Sequence, residues 1–382
     1  MPSQASSRAS SPPKRGTALR QRLAELRGTD VPAQPLDARA LAALAANPGC
    51  RRRALLDGAG VDKTALAHSL GSPSGFGQSQ FAFMRGNAFE ARVKADGGAE
   101  LLRLTHGRLG GGAEPVPGEA AVPDLAAAGP EGRAARTALA LREATASGGW
   151  TLLDHPMLAL EVAGTLAFLE PDAVVVHPDG GWTVVEIKSF PMIDGSADAA
   201  KVGAAARQAA VYALALERVA GRLEPAPPVR HHVVLVCPKD FSNLPTASAI
   251  DVRKQLSVTR RQLARLTRVE DIAAELPEGT TFDVRRPAAE LTAAVEAVPA
   301  TYAPECLSAC ELAFHCRTRA RARGEVTTLG RAVRGELGGL TTIAEVLAAA
   351  RGTAGDAADP AVAMLRRAAA LRGAGVGASG GS

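Results

Sequence analysis

Long apolar runs are missing from this chain of 382 residues. No stretch of about 18 apolar residues occurs, which excludes a membrane-spanning helix and makes an integral membrane protein unexpected. Aromatic residues are scarce, at 3%. Cysteine is scarce too, with five residues, too few for a disulfide scaffold. They are expected to be free thiols, redox groups or metal ligands. The N-terminus carries charge but no apolar segment followed by a cleavage site. No signal peptide is read, and a cytoplasmic location is expected. Gly (39) and Pro (25) follow no collagen-like period, and 46% hydrophobic residues exclude full disorder.

The length suggests one large domain with additions, or two domains. Lys and Arg exceed Asp and Glu by 44 − 39 = 5, a mild excess that permits an anionic partner. The basic residues cluster in three blocks: Arg51–Arg53; Arg253, Lys254, Arg260, Arg261, Arg265 and Arg268; and Arg317, Arg319, Arg321 and Arg323. Each block reads either as solvated surface or as a phosphate-binding patch.

Composition divides the chain. Residues 1–33 are rich in Ser, Pro, Arg and Gln and read as a disordered tail. Residues 34–150 read as a helical region, with apolar spacing between Pro35 and Leu70, a Gly/Pro-rich loop over Gly107–Pro130 and a helix over Ala134–Ala146. Residues 151–245 change character. Ala163–Leu169, Asp172–Val176 and Trp182–Ile187 are short runs with the residue types of strands. The turn sequence His177-Pro178-Asp179-Gly180-Gly181 makes the last two an antiparallel hairpin. Asp198–Arg218 predicts a helix and His232–Cys237 a buried strand. Residues 246–325 hold a basic amphipathic helix over Ala249–Leu276, a candidate strand at Thr281–Val284 and the cysteine cluster. Residues 326–372 read as a helical hairpin centred on Leu329–Gly352, for packing support or DNA-backbone contact. Residues 373–382 read as a flexible Gly/Ser tail.

The hairpin carries the first chemical signal. Glu186 and Lys188 are two apart on a strand and therefore share a face. The hairpin brings Asp172 beside them. Two carboxylates at one strand end repel unless neutralised. A hard cation such as Mg²⁺ or Mn²⁺, held by a few carboxylates with water and substrate phosphate, does this. The lysine can then orient or activate a water. The bland alternative is a surface strand with ordinary charges. Gln208 and Tyr212 follow at i, i+4 on one helix face; Tyr212 reads as a core aromatic or a nucleic-acid contact. His155 and His177 read as loop histidines near the site, and Cys237 as a buried core thiol.

Pro171-Asp172, Glu186-Ile187-Lys188 and Gln208-Ala209-Ala210-Val211-Tyr212, in that order, resemble the PD-(D/E)xK nuclease superfamily, and more closely its RecB-type exonuclease branch. The likeness spans roughly Ser79 to Pro238. That branch has an upstream helix with G-x-x-x-H. Here Gly86-Asn87-Ala88-Phe89-Glu90 occupies the place, preceded by Ser79-Gln80-Phe81-Ala82-Phe83, so Glu90 stands where the His is usual. The resemblance implies an α/β restriction-endonuclease-like core, a central mixed sheet flanked by helices, with helical N- and C-terminal additions. It implies that Asp172, Glu186, the Ile187 carbonyl and Glu90 hold Mg²⁺ or Mn²⁺. Lys188 would then position the attacking water, and Gln208 and Tyr212 would touch substrate or support the site.

Cys306, Cys310 and Cys316 form C-x₃-C-x₅-C, and Cys50 lies far upstream. Four thiolates can hold a [4Fe–4S] cluster or Zn²⁺, and His315 could replace one Cys. One Cys before the core and three after it is similar to the iron–sulfur subgroup of RecB-type nucleases, which includes exonucleases of CRISPR adaptation, although there C-x₂-C-x₅-C is usual. The resemblance implies a [4Fe–4S] centre, with zinc the alternative.

Together these readings predict a metal-dependent DNA nuclease, an exonuclease of repair, recombination or defence, with DNA as partner and no membrane. No helicase motif is present, so a separate motor is needed for processive resection of duplex ends. The alternatives are a non-catalytic DNA-binding or scaffold subunit with a structural iron–sulfur or zinc site, and a metal–thiolate protein unrelated to nucleic acid.

Overall fold

The computed structural model describes residues 15–73, 80–240, 242–264, 266 and 268–378. Its centre is a five-stranded mixed sheet flanked by helices, an α/β architecture. The strands are β1 (Thr151–Asp154), β4 (Ala173–Val176), β5 (Trp182–Ile187), β6 (His232–Pro238) and β7 (Pro245–Asp251), in the spatial order β1-β4-β5-β6-β7. The pair β4–β5 is the expected hairpin, in a register that sets Ala173 opposite Val185 and Val176 opposite Trp182. β5 and β6 run parallel and all other neighbours antiparallel. A parallel pair requires a long crossover, supplied here by α8 (Ala199–Ala220), whose N-cap Asp198 accepts a hydrogen bond from the Lys201 amide at 2.9 Å. β2 (Leu158–Val162) and β3 (Thr165–Leu169) form a separate two-stranded ribbon that packs on α8.

Side-chain alternation gives the sheet two apolar faces. Val174, Val176, Trp182, Val184 and Val233 belong to the core shared with α8. Ala173, Val175, Val185, Ile187, Val234 and Val236 pack with Leu101 and Leu102 of α6 (Ala95–Leu109). The helices preceding the sheet are α1 (Arg15–Arg27), α2 (Ala38–Ala46), α3 (Arg51–Ala59), α4 (Lys63–Ser69), α5 (Gln80–Val93), α6 and α7 (Gly129–Ser147). Asp37 and Asp62 cap α2 and α4 by accepting from Ala40 and Ala65 amides, and Gly60 closes α3 in the left-handed conformation. After the sheet come α9 (Arg253–Leu263), α10 (Val269–Ala274), α11 (Ala288–Glu296), a 3-10 turn at Pro304–Ser308, α12 (Ala313–Ala322), α13 (Arg331–Glu336), α14 (Ile343–Arg351) and α15 (Pro360–Ala378). Among the described residues no helix is long and apolar enough to cross a membrane.

Several boundaries differ from those the sequence suggests. The expected disordered tail 1–33 contains α1, because Leu23 and Leu26 bury themselves on one helical stripe packed against α3; residues 1–14 lie outside the described residues. The single basic helix expected over Ala249–Leu276 is the end of β7 followed by two short helices. The register of β7 places Ala249 and Ile250 opposite Val234 and Val233, and pairing with a buried strand overrides helical periodicity. The sheet therefore ends at Asp251, past the boundary at 245. Thr281–Val284 forms no strand; the Phe282 amide donates to the Leu26 carbonyl at 2.7 Å and its ring is buried. In the C-terminal region, α14 packs chiefly against α15. That helix runs to Ala378, into the stretch expected to be flexible, and 379–382 lie outside the described residues. Ser79 and Arg265, named in the sequence reading, also lie outside them.

Candidate functional site

Alternation along β5 puts Glu186 and Lys188 on the α8 face, as spacing predicts. The buried neighbours Val185 and Ile187 point the other way, toward α6. Asp172 immediately precedes β4 and completes the group. Its Oδ2 accepts from the Ile187 amide at 2.6 Å and lies 3.4 Å from Lys188 Nζ. Lys188 Nζ is also 2.5 Å from Glu186 Oε2. The Lys188 backbone is anchored independently, its amide donating to the Val236 carbonyl of β6 at 2.9 Å.

Glu186 is the unusual member. It is 1% exposed, and neither carboxylate oxygen is satisfied by hydrogen-bond geometry despite the nearby ammonium. Burial raises its pKa, Lys188 pulls it back down and Asp172 pushes it up again. Burial opposes the Lys188 charge, but Glu186 and Asp172 outweigh it and the ammonium is held well above the ordinary lysine range. An under-satisfied buried carboxylate beside a second carboxylate fits a hard divalent cation, which takes few protein oxygens and keeps water in the remaining positions. Asp172 and Glu186 are the side chains that could contribute oxygens to such an ion. Among the described residues, no group of three or more His, Cys, Asp or Glu side chains is arranged to hold a metal ion.

Gln208 and Tyr212 stand one helical turn apart on α8, and Gln208 Nε2 donates to the Tyr212 hydroxyl at 3.0 Å. That hydroxyl donates to the Glu170 carbonyl at 3.1 Å. Tyr212 is 5% exposed. It therefore acts as a strut that fixes the Glu170–Asp172 segment from the core side.

Beside this group lies a second charged cluster. Glu90, on α5, accepts from Lys94 Nζ at 2.5 Å and faces His155 Nε2 at 2.9 Å. The hydrogen bond with His155 holds Glu90 down to a pKa of about 2, with Lys94 helping against the cost of burial. Reciprocally, Glu90 raises His155. Lys94 also lies 2.6 Å from Asp154 Oδ1 and donates to the Asp172 carbonyl at 2.7 Å. His155 has a positive φ of 45°, uncommon for a non-glycine residue. Arg133 donates to the His155 carbonyl and pairs with Glu170 at 2.7 Å. Sequence reasoning left His155 as a loop histidine and missed Lys94, Asp154, Glu170 and Arg133. One signal was available: Lys94 follows Glu90 by four residues, on the same helical face. His177, by contrast, sits at the far end of β4. It is buried among Thr183, the Gly110 carbonyl and the Trp150 ring, away from Asp172, Glu186 and Lys188.

The cysteines converge elsewhere. Cys50 occupies the N-cap position of α3 without a side-chain capping bond, Cys306 lies in the 3-10 turn, Cys310 between that turn and α12, and Cys316 in α12. Asn47 Nδ2 donates to Cys306 Sγ at 3.4 Å and to the Thr301 carbonyl at 2.7 Å. Arg52 donates to Cys316 Sγ at 3.2 Å and to the Val298 carbonyl at 3.2 Å. Arg53 bonds the Ala309 carbonyl at 2.8 Å and pairs with Asp57 at 2.7 Å and Glu311 at 3.1 Å. Burial pushes the Cys316 thiol up to about 12; Arg52 opposes this, and the charges of Cys310 and Cys50 add to it. Burial likewise raises Cys310 against the pull of Arg53. His315 is 6% exposed with an unpartnered Nε2. None of the five cysteines is in a disulfide, and Cys237 is a fully buried core residue, as expected. Thiols and an imidazole are the ligand types of a thiolate-bound metal centre, but among the described residues no group of three or more His, Cys, Asp or Glu is arranged to hold an ion.

This arrangement corrects the reading of Arg51–Arg53 as a phosphate-binding block. Arg52 and Arg53 are 4% and 5% exposed because carbonyls and acids of the C-terminal segment draw them inward, and Arg51 pairs with Glu275 at 2.6 Å. The other two blocks stay largely outside. Arg253, Lys254, Arg260 and Arg261 of α9 are exposed, as are Arg319, Arg321 and Arg323 at the end of α12 and beyond it. Compared with protein-family models, curated proteins and solved structures, the chain matches none.

Proposed function

We propose that the protein is a divalent-metal-dependent DNA nuclease built on a restriction-endonuclease-like core. The observation that carries the reading is the buried, under-satisfied Glu186 carboxylate meeting Asp172 and Lys188 at one end of the β4–β5 hairpin. Asp172 and Glu186 would hold Mg²⁺ or Mn²⁺, with the Ile187 carbonyl as a further oxygen. When bound, such an ion polarises the scissile phosphate and acidifies water. Lys188 orients the attacking water and keeps a positive charge beside the phosphate through its pairing with both acids. Tyr212 and Gln208 hold Asp172 in place from α8. The exposed arginines of α9 and α12 supply salt-sensitive phosphate contacts.

The four residues Cys50, Cys306, Cys310 and Cys316 would hold a [4Fe–4S] cluster, with zinc the alternative, and its role is structural because the cleavage chemistry lies at the sheet. A separate helicase would provide strand separation where duplex ends are resected. The function is tested on end-labelled DNA with Mg²⁺ or Mn²⁺. Cleavage is expected with either ion, and none with EDTA or with the Asp172→Ala protein. Equal cleavage under all four conditions sinks the reading.

A further inference from the structure

The Lys94 ammonium sits among donor groups of the kinds a divalent ion takes, at hydrogen-bond distances. Its side chain is 10% exposed, and its three N–H groups face three oxygens: Glu90 Oε1 at 2.5 Å, Asp154 Oδ1 at 2.6 Å and the Asp172 carbonyl at 2.7 Å. His155 Nε2 completes the surround at 3.1 Å. Two carboxylates, a carbonyl and an imidazole form a donor set suited to Mn²⁺ or a similar divalent ion. The backbone fixes the lysine there. Its amide donates to the Glu90 carbonyl at 3.0 Å, and its own carbonyl accepts from Gly98 at 3.1 Å. Asp96, Gly97 and Gly98 then turn through left-handed conformations between α5 and the rest of α6. A Cβ on Gly98 would lie 2.1 Å from Leu152, so this close turn against β1 requires glycine.

We propose that Lys94 is a tethered cation that takes up the coordinating capacity of Glu90, Asp154 and His155, and so confines the divalent metal to the neighbouring Asp172–Glu186 pair. The inference rests on the metal-dependent reading of that pair, but it concerns a different set of ligands. Lys94 is then a positioning residue that sets how many ions the site accepts. Because it shares Asp172 through the backbone carbonyl, it also fixes the carboxylate that the pair contributes. Glu90, in turn, serves as the partner of Lys94 and His155 and not as a ligand of the catalytic ion.

The two ideas separate in a titration of the full chain with Mn²⁺, followed by the paramagnetic resonance of the free ion, with thermal melting to confirm folding. Lys94→Met should bind one more ion per chain than the native protein, because it frees two carboxylates and an imidazole. Adding Glu90→Gln to that variant should remove the extra ion. Lys94→Arg, which keeps the fixed charge, should gain none. No gain in Lys94→Met, or a gain that survives Glu90→Gln, overturns the proposal. The single variant Glu90→Gln gives an arm that does not depend on Lys94→Met folding. Its Mn²⁺ affinity should equal that of the native chain. A loss of about tenfold or more would make Glu90 a ligand and end the proposal. Failure of the metal-dependent reading has a separate signature: native protein and Asp172→Asn bind the same number of ions, while the increment caused by Lys94→Met remains.

Discussion

The charged site at the sheet end and the cysteine junction are built by opposite routes. Asp172 and Lys188 lie 16 residues apart, and one hairpin brings them together. Arg52 and Cys316 are 264 residues apart, and their contact closes most of the chain into a loop. The first is local geometry displayed on a rigid strand pair; the second is long-range closure that depends on every intervening element. Both regions hold buried polar atoms without hydrogen-bond partners, but they differ in what surrounds them. At the sheet end a buried carboxylate remains without proper hydrogen bonds, a state tolerated where function requires it. At the junction, arginine side chains engage carbonyls, acids and sulfur at once, while Arg51 Nε, Asp57 Oδ1 and His315 Nε2 stay without hydrogen-bond partners. The site is therefore expected to fail chemically before it fails structurally, and the junction the reverse.

The most severe test of this contrast is Asp172→Ala or Glu186→Gln. Either should lower DNA cleavage by about three orders of magnitude, as expected when several kcal/mol of transition-state stabilisation by a metal are lost. The melting temperature should change little, or rise for Glu186→Gln, because a buried under-satisfied charge is removed. A large drop in melting temperature with cleavage per folded molecule intact would invert the comparison.

At the junction the larger effect should be on stability. Cys316→Ala should destabilise by about 3–5 kcal/mol if a bound centre closes the long loop. Anaerobically prepared native protein should show broad visible absorption that this variant loses, or hold one equivalent of zinc. Asp57→Asn breaks the buried pairing with Arg53 and Lys63 and should cost a similar amount without touching any cysteine. Metal-free native protein as stable as the loaded form would show that the arginines alone hold the junction.

Acid titration separates the sheet from both regions. Burial lowers the His177 pKa to about 4, with Arg230 contributing. The depressed native value means that the unfolded chain takes up its proton first. Stability is then full above the ordinary histidine value near pH 6.5 and declines as pH falls toward 4, by about 3 kcal/mol in all. His177→Gln should flatten this window in denaturant melts at successive pH values; an unchanged slope would remove His177 as the cause.

The smallest expected effect tests the strut on α8. Tyr212→Phe removes the hydroxyl that donates to the Glu170 carbonyl and accepts from Gln208. It should cost about 1 kcal/mol of stability and lower cleavage modestly without changing affinity for DNA. A reduced affinity with unchanged turnover would instead make Tyr212 a substrate contact.

The hairpin, the shared face of Glu186 and Lys188, the helix with Gln208 and Tyr212 and the buried strand ending in Cys237 were legible from the sequence. They depend on period-two alternation, a turn made of Pro, Asp and Gly, and a helical spacing of four, all of which act over a few residues. The strand character of Pro245–Asp251 was not legible, because its conformation comes from pairing with β6. Nor was α1, whose few leucines are buried by packing against α3 and, far later in the chain, α10. Lys94 shows the same limit within the site. The sequence places it one turn from Glu90, but only packing sets its ammonium against Asp154 and the Asp172 carbonyl.

The sequence by itself thus determined which residues carry charge at the strand end and which carry sulfur. Tertiary structure alone decided where the arginines point. Arg51, Arg52 and Arg53 form one uniform basic run in the sequence. A helix turns successive residues to different sides, and the C-terminal carbonyls, Glu311 and the thiols face only the inner side. Arg52 and Arg53 exchange water for those partners and become buried structural cations, while Arg51 remains at the edge, paired with Glu275. The direction of a charged side chain depends on what a distant segment brings within hydrogen-bonding reach, and local sequence carries no record of that.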